Sequence, residues 1–242
     1  MNSESLQILK SRLEKGEEVS VSGLTPSSKP YFLFLLQRIT SKSIIFISPD
    51  SFASEGVCDA FSVFSDVPRL HIDLKGAGAE ESSASLLSLP PVCAAFSDIS
   101  SAFEKLQDPS EGSRSSILLK RGMRINMEHL AGMLSDGGFR KTGTAENRKE
   151  FSVRGGIFDI FPPAGEPVRI EFFGDEIDSL RVFDPETQRS REEIGSASVY
   201  TGASGLGSSS IFDYFSPESS IAVFDEMPLL RLGIIESGAW GV

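Results

Sequence analysis

The chain has 242 residues, 40% of them hydrophobic and 24% charged, and a formal net charge of −11. That length suffices for one large domain or two small ones. The acidic balance argues against a chain whose whole surface binds nucleic acid, because phosphate contacts need clustered Lys and Arg.

A local basic patch on a protein-binding face remains compatible with this charge. Two cysteines (Cys58, Cys93) and two histidines (His71, His129) offer neither a disulfide framework nor metal-ligand spacing. No metal site, cofactor site or catalytic residue is expected, and a reducing cytoplasm fits. The opening "MNSESLQILKSRLEKGEE" lacks a signal-peptide core, and no apolar run reaches the ~18 residues of a membrane span.

In chain order, Leu6, Ile8, Leu9 and Leu13 predict a short amphipathic helix ending near Gly16. "EEVSVSGL" reads as a strand, "SKPYFLFLLQRI" as a helix with a broad apolar face, "KSIIFISP" as a buried strand and "ASEGVCDAFSVF" as a helix. Strands alternating with helices predict a parallel α/β sheet. "LKGAGAEESSASL" reads as a loop, and "PVCAAFSDISSAFEKL" as a strand, then a helix with Ser97 or Asp98 as its N-cap. "QDPSEGSRS" reads as a linker at a domain boundary.

Beyond it the texture changes. "SSILLKRG" predicts a strand, and "NMEHLAGMLSDGGF" a helix closed by Gly137 or Gly138. "EFSVRGGIFDIFPP" and "PVRIEFFGDEIDSLRVFD" carry the densest strand signals. Gly155-Gly156 is read as a bulge or a turn, with the bulge preferred. After Ser190 the chain turns polar and Ser/Gly-rich, then "IAVFDEMPLL" gives a strand running into Asp225 and Glu226.

Two stretches invite a functional reading. "GLTPSSKP" keeps the Gly23-to-Lys29 spacing of the phosphate-loop pattern G-x-x-x-x-G-K-[ST]. Ser28 replaces its second glycine and Pro30 its magnesium-binding hydroxyl, while Pro26 has no N–H to donate. The loop is expected to be defunct. The second stretch is the hairpin 168–184. A Gly174-Asp175 turn would set Phe173 opposite Glu176, Phe172 opposite Ile177 and Glu171 opposite Asp178. Val168, Ile170, Phe172 and Ile177 then face a core. Arg169, Glu171, Phe173, Glu176 and Asp178 form the other face, with Leu180 beside Arg169 and Arg181 on the core side. A large aromatic among charges suits an interface, although a second layer could cover it.

"VRGGIFDIFPPAGEPVRIEFFGDEIDSLRVFDPETQRS" closely resembles the signature of UvrB-like modules, in particular the N-terminal part of bacterial transcription-repair coupling factors. Residues 17–49 resemble the start of that module less strongly. Residues 66–112 match poorly and lack the expected Trp-Glu and Leu-Pro-Tyr runs. The resemblance implies an α/β fold: an incomplete, degenerate RecA-like parallel subdomain (1–112 and 198–242) with an inserted α+β subdomain like UvrB domain 2 (113–197). It implies a non-catalytic module that recruits UvrA, with Arg154, Arg169 and Phe173 as contact residues and Glu171 and Asp178 as supporting ones. It also implies that Asp225 and Glu226 are the relic of a magnesium-holding acidic box, and that "RLGIIESGAWGV" departs from the family and ends the first subdomain early. RNA polymerase and DNA would be partners of full-length relatives through domains outside this sequence. The alternative is a UvrB-like protein that binds damaged DNA with a defunct ATP site.

Overall fold

A computed structural model describes residues 3–110, 116–201 and 207–225. The chain divides into two units, one of residues 1–77, 89–104 and 210–242, the other of 78–88 and 105–209.

The first unit is organised by strand β1 (Ser43–Ser48), buried along its whole length. Ile44, Ile45, Phe46 and Ile47 have almost no solvent exposure, and burial of each stabilises the unit by about 1.5–3 kcal/mol. A strand apolar on both faces needs neighbours on both edges and helices on its faces. Strand β1 pairs in parallel with β3 (Ala94–Asp98) and β12 (Ser220–Phe224), and β2 (Arg69–Ile72) adds to β3, giving the order β12-β1-β3-β2. Helices α1 (Ser3–Glu14), α2 (Lys29–Thr40) and α3 (Ser51–Phe61) contribute Leu9, Leu33, Leu36, Cys58 and Phe61 to this core. Asp50 caps α3 by accepting from the Ala53 N–H at 2.8 Å, and Asp98 caps the one-turn helix α5 (Ile99–Ala102).

Two expectations for this part of the chain are corrected. Residues 17–24 pair with no strand among the described residues. Val19 and Leu24 pack against the core, yet Val21 is exposed. The segment read as a loop, "LKGAGAEESSASL", is helix α4 (Leu74–Ser88), broken where Gly78 takes φ +77°. Its Ala, Leu and Glu residues are strong helix formers, and tertiary contacts complete the case. Ala84 and Leu86 are buried, Ser83 accepts from the Gln107 N–H, and Glu80 and Glu81 pair with Lys149 and Arg148.

The second unit is built on a six-stranded sheet, β10-β9-β8-β7-β6-β5. The strands are β5 (Arg140–Lys141), β6 (Glu150–Arg154), β7 (Ile157–Phe161), β8 (Val168–Phe173), β9 (Glu176–Phe183) and β10 (Ser190–Glu193). All neighbours are antiparallel except β5 and β6. Period-2 alternation sends Phe151, Phe158, Ile160, Val168, Ile170, Ile177 and Leu180 to one face. Leu130 and Leu134 of helix α6 (Met127–Asp136) join them in one core, with Ile117, Leu119 and Val199 from the pair β4 (Ser116–Lys120) and β11 (Ser196–Tyr200). Asn126 caps α6, and Gly138 leaves it with φ +76°.

Gly155-Gly156 is a two-residue hairpin turn, not a bulge, and Gly174-Asp175 is another. Each opens with a glycine at positive φ, +60° and +62°, the geometry that matches strand twist across a two-residue connection. The bulge lies elsewhere. Glu171 pairs with Ser179 while Phe172 pairs with Ile177, so Asp178 is the extra residue on β9. The expected Glu171–Asp178 opposition does not occur, and the slip separates two like charges that would have faced each other.

Glu150 is buried at the start of β6. Burial pushes its carboxyl up, but the Arg140 guanidinium, the Asn147 and Glu146 N–H groups and the Asn147 side chain outweigh that and bring it from 4.5 down to about 2. Because the folded value is the lower one, the stabilisation is complete above pH 4.5 and is lost as pH falls toward 2. Thermal melts between pH 7 and pH 2 should show this acid loss, and Glu150→Gln should flatten it. An unchanged acid slope in the variant contradicts the assignment.

Candidate protein-interaction site

Ladder register fixes what stands together on the face of the six-stranded sheet opposite the core. One row reads Arg154, Ile157, Glu171, Ser179 across β6 to β9, and the next reads Ser152, Asp159, Arg169, Arg181, Glu193 across β6 to β10. Arg169 is therefore beside Arg181, and Leu180 lies fully buried in the core. This corrects the expected neighbour of Arg169 and moves Arg181 to the polar face. The cause is the Asp178 bulge, which shifts the register by one residue on the side away from the hairpin turn.

Asp159 is the centre of this face. Its side chain is 1% exposed, so its charge needs partners. Arg169 gives Nε to Oδ1 at 2.7 Å and Nη2 to Oδ2 at 2.9 Å, a bidentate fork. Arg154 gives Nη2 to Oδ2 at 2.8 Å. Arg169 also donates Nη1 to the Gln188 carbonyl at 2.9 Å and lies over the Phe183 ring at 5.1 Å. The hydrogen bond to Asp159 raises the Arg169 pKa further above its ordinary value.

Around this centre, Glu171 accepts from the Ser179 hydroxyl at 2.9 Å and meets Arg181 at 3.8 Å. Asp178 is exposed on the bulge. Phe173 is 85% exposed beside the Gly174 turn, and Ile157 is also exposed, so an apolar spot stands among the charges at the turn end of the sheet. Of the five residues expected to contact a partner, Arg169, Glu171, Phe173 and Asp178 lie on the β8–β9 hairpin and Arg154 ends β6 of the same sheet. Arg169, however, is largely committed to Asp159 and is not the open arm the sequence suggested. Asp159 was not among the contact residues expected from the sequence. A lone Asp inside the apolar run "IFDIF", sharing a face with Arg169 by alternation, is the signal that points to its role.

In the first unit, Gly23 has φ +81°, Pro26–Ser28 forms a 3₁₀ turn, and Lys29 opens α2. Lys29 Nζ reaches Asp225 Oδ2 at 2.6 Å with both side chains mostly buried. The lysine of the degenerate loop and the first acid after β12 thus neutralise each other. Glu226 lies outside the described residues. Among the described residues no group of three or more His, Cys, Asp or Glu side chains could hold a metal ion, and no helix is long and apolar enough to cross a membrane.

Residues 117–204 match the family described as UvrB interaction domain. This stretch is similar to a UvrB-like module. The match covers β4 to β11, and so includes the whole polar face just described. The chain is also similar to the transcription-repair-coupling factor of Staphylococcus aureus strain MRSA252, 36% identical over 110 residues, which is 46% of this chain and 9% of that protein. The factor of Staphylococcus haemolyticus strain JCSC1435 is 38% identical over 106 residues, 44% of this chain and again 9% of the relative. The chain thus aligns with about a tenth of the length of these relatives.

Leaving Arg169 buried without its carboxylate should be costly. Asp159→Asn is expected to lower unfolding free energy by about 3 kcal/mol, the scale of breaking a buried pair by removing one partner. Ser152→Ala, which removes a buried hydroxyl that has no partner, is expected to change stability by less than about 1 kcal/mol. Urea denaturation of both variants against the parent checks this, and an Asp159→Asn loss as small as that of Ser152→Ala contradicts it.

Proposed function

We propose that this chain is a non-catalytic module that recruits UvrA and so links stalled transcription to nucleotide excision repair by protein–protein contact. The observation that carries the reading is Phe173. A phenylalanine 85% exposed, beside a turn and flanked by arginines and carboxylates, lies within the segment that matches the UvrB interaction domain. Exposed aromatics with adjacent arginines are the residues that dominate binding at protein interfaces. Arg154, Arg169, Glu171 and Asp178 frame the apolar spot and supply the electrostatic complement that selects a partner.

The first unit supports a non-catalytic role. A phosphate loop works through backbone N–H groups and a free lysine around the phosphates. Here prolines occupy two loop positions and Lys29 is paired with Asp225. In this reading residues 1–112 and 198–242 are a degenerate RecA-like subdomain, and residues 113–197 are the inserted UvrB domain 2-like part. The role is a cytoplasmic one. On this reading RNA polymerase and DNA would be contacts of longer relatives, through regions outside the aligned segment.

Phe173→Ala should weaken binding of the 242-residue chain to purified UvrA by about 2 kcal/mol or more, with an unchanged melting temperature, since the ring buries little in the free chain. Titration calorimetry measures the affinity. A folded parent that does not bind UvrA overturns the reading, as does DNA binding with a steep salt dependence and no affinity for UvrA.

A further inference from the structure

Arg154 and Arg169 are equivalent in charge but not in what they have left to give. Arg169 spends its fork on both oxygens of Asp159, donates to Gln188 and stacks on Phe183, and its side chain is 12% exposed. Arg154 makes one bond, to Asp159 Oδ2, and its side chain is 45% exposed. A guanidinium carries five N–H donors in a rigid plane. Arg154 therefore keeps most of its donors without a protein partner among the described residues. At this point two guanidiniums share one carboxylate and Arg181 meets Glu171, while the exposed Glu176 and Asp178 stand at the hairpin end of the sheet.

We propose that Asp159, anchored by Arg169, is a positioning residue that aims the open edge of Arg154 at an acidic side chain of the partner, next to the apolar contact made by Phe173. This rests on the UvrA-recruiting reading above. Arg154 ends β6, Ile157 opens β7 and Phe173 ends β8, so the charged and apolar contacts share the turn end of three successive strands. Arg169 is the strut of this arrangement and Arg154 its contact arm. A long side chain held in its binding geometry before association loses less freedom on binding, and a planar fork gains a bidentate carboxylate only when its plane is set.

The test is calorimetric titration of purified UvrA with the parent chain, Arg154→Ala, Asp159→Asn and the double variant. Arg154→Ala, which leaves Asp159 its bidentate bond to Arg169, should stay folded and weaken binding about tenfold or more. Asp159→Asn should weaken binding several-fold in the parent background. In the Arg154→Ala background it should add no more than about a twofold loss, because the side chain it aims is gone. A purely structural Asp159 would cost the same in both backgrounds, and that result, or no loss at all, overturns the proposal. Should Asp159→Asn fail to fold, Arg154→Ala decides, and a loss below about twofold overturns the proposal. A folded parent without affinity for UvrA removes the functional reading and this inference together. A parent that binds without coupling between the two residues removes only the positioning role.

Discussion

A carboxylate with almost no solvent exposure lies between two guanidiniums in the sheet of the second unit, and much of that unit is arranged around it. Asp159 cannot be buried as an anion without compensation. The bidentate bond from Arg169 supplies it and fixes the register of β7 against β8, because the two residues must face each other across the ladder. Arg169 in turn draws in the Gln188 carbonyl and the Phe183 ring, tying the connection after β9 to the same point. With register set there, alternation sends Phe158, Ile170 and Leu180 to the core. Phe173 is left to solvent, since the Gly174 turn begins before any second layer covers it.

The first unit answers a similar electrostatic demand differently. Lys29 stands where a phosphate-loop lysine would, at the start of α2, but its counter-charge comes from Asp225 at the end of β12, 196 residues away in the chain. The pair joins a helix start to a strand end and needs no ligand to be satisfied. In the second unit the charges are instead shared unevenly, with one guanidinium fully engaged and the other open. Lys29 is thereby satisfied within its own unit, while Arg154 keeps an exposed edge.

Strongly periodic or fully apolar segments were legible in the sequence because burial alone decides them. β1 with its run of isoleucines, α2, α6 with its Asn126 start, and the alternating strands 150–183 follow from pattern. Elements that depend on partners were not. "EEVSVSGL" alternates like a strand and finds no ladder among the described residues, while α4 is held by Glu80, Glu81 and Ser83, whose partners lie far along the chain. The candidate site shows the same division. Phe173 was read as non-core from alternation and is exposed. One bulge residue, Asp178, moved Arg181 to the polar face and separated Glu171 from its expected like-charged neighbour. Asp159 carried its signal in plain view, but its weight comes from burial, which no local pattern states.

The central claim is that the turn end of the polar sheet face, around Phe173, meets UvrA. Hydrogen–deuterium exchange of the 242-residue chain with and without UvrA tests this directly, because it maps the contact without altering any residue. Protection on binding should concentrate at residues 154–157 and 171–178, with β1 and the loop 23–30 unchanged. Protection confined to the first unit, with both hairpin turns exchanging as in the free chain, would contradict the account.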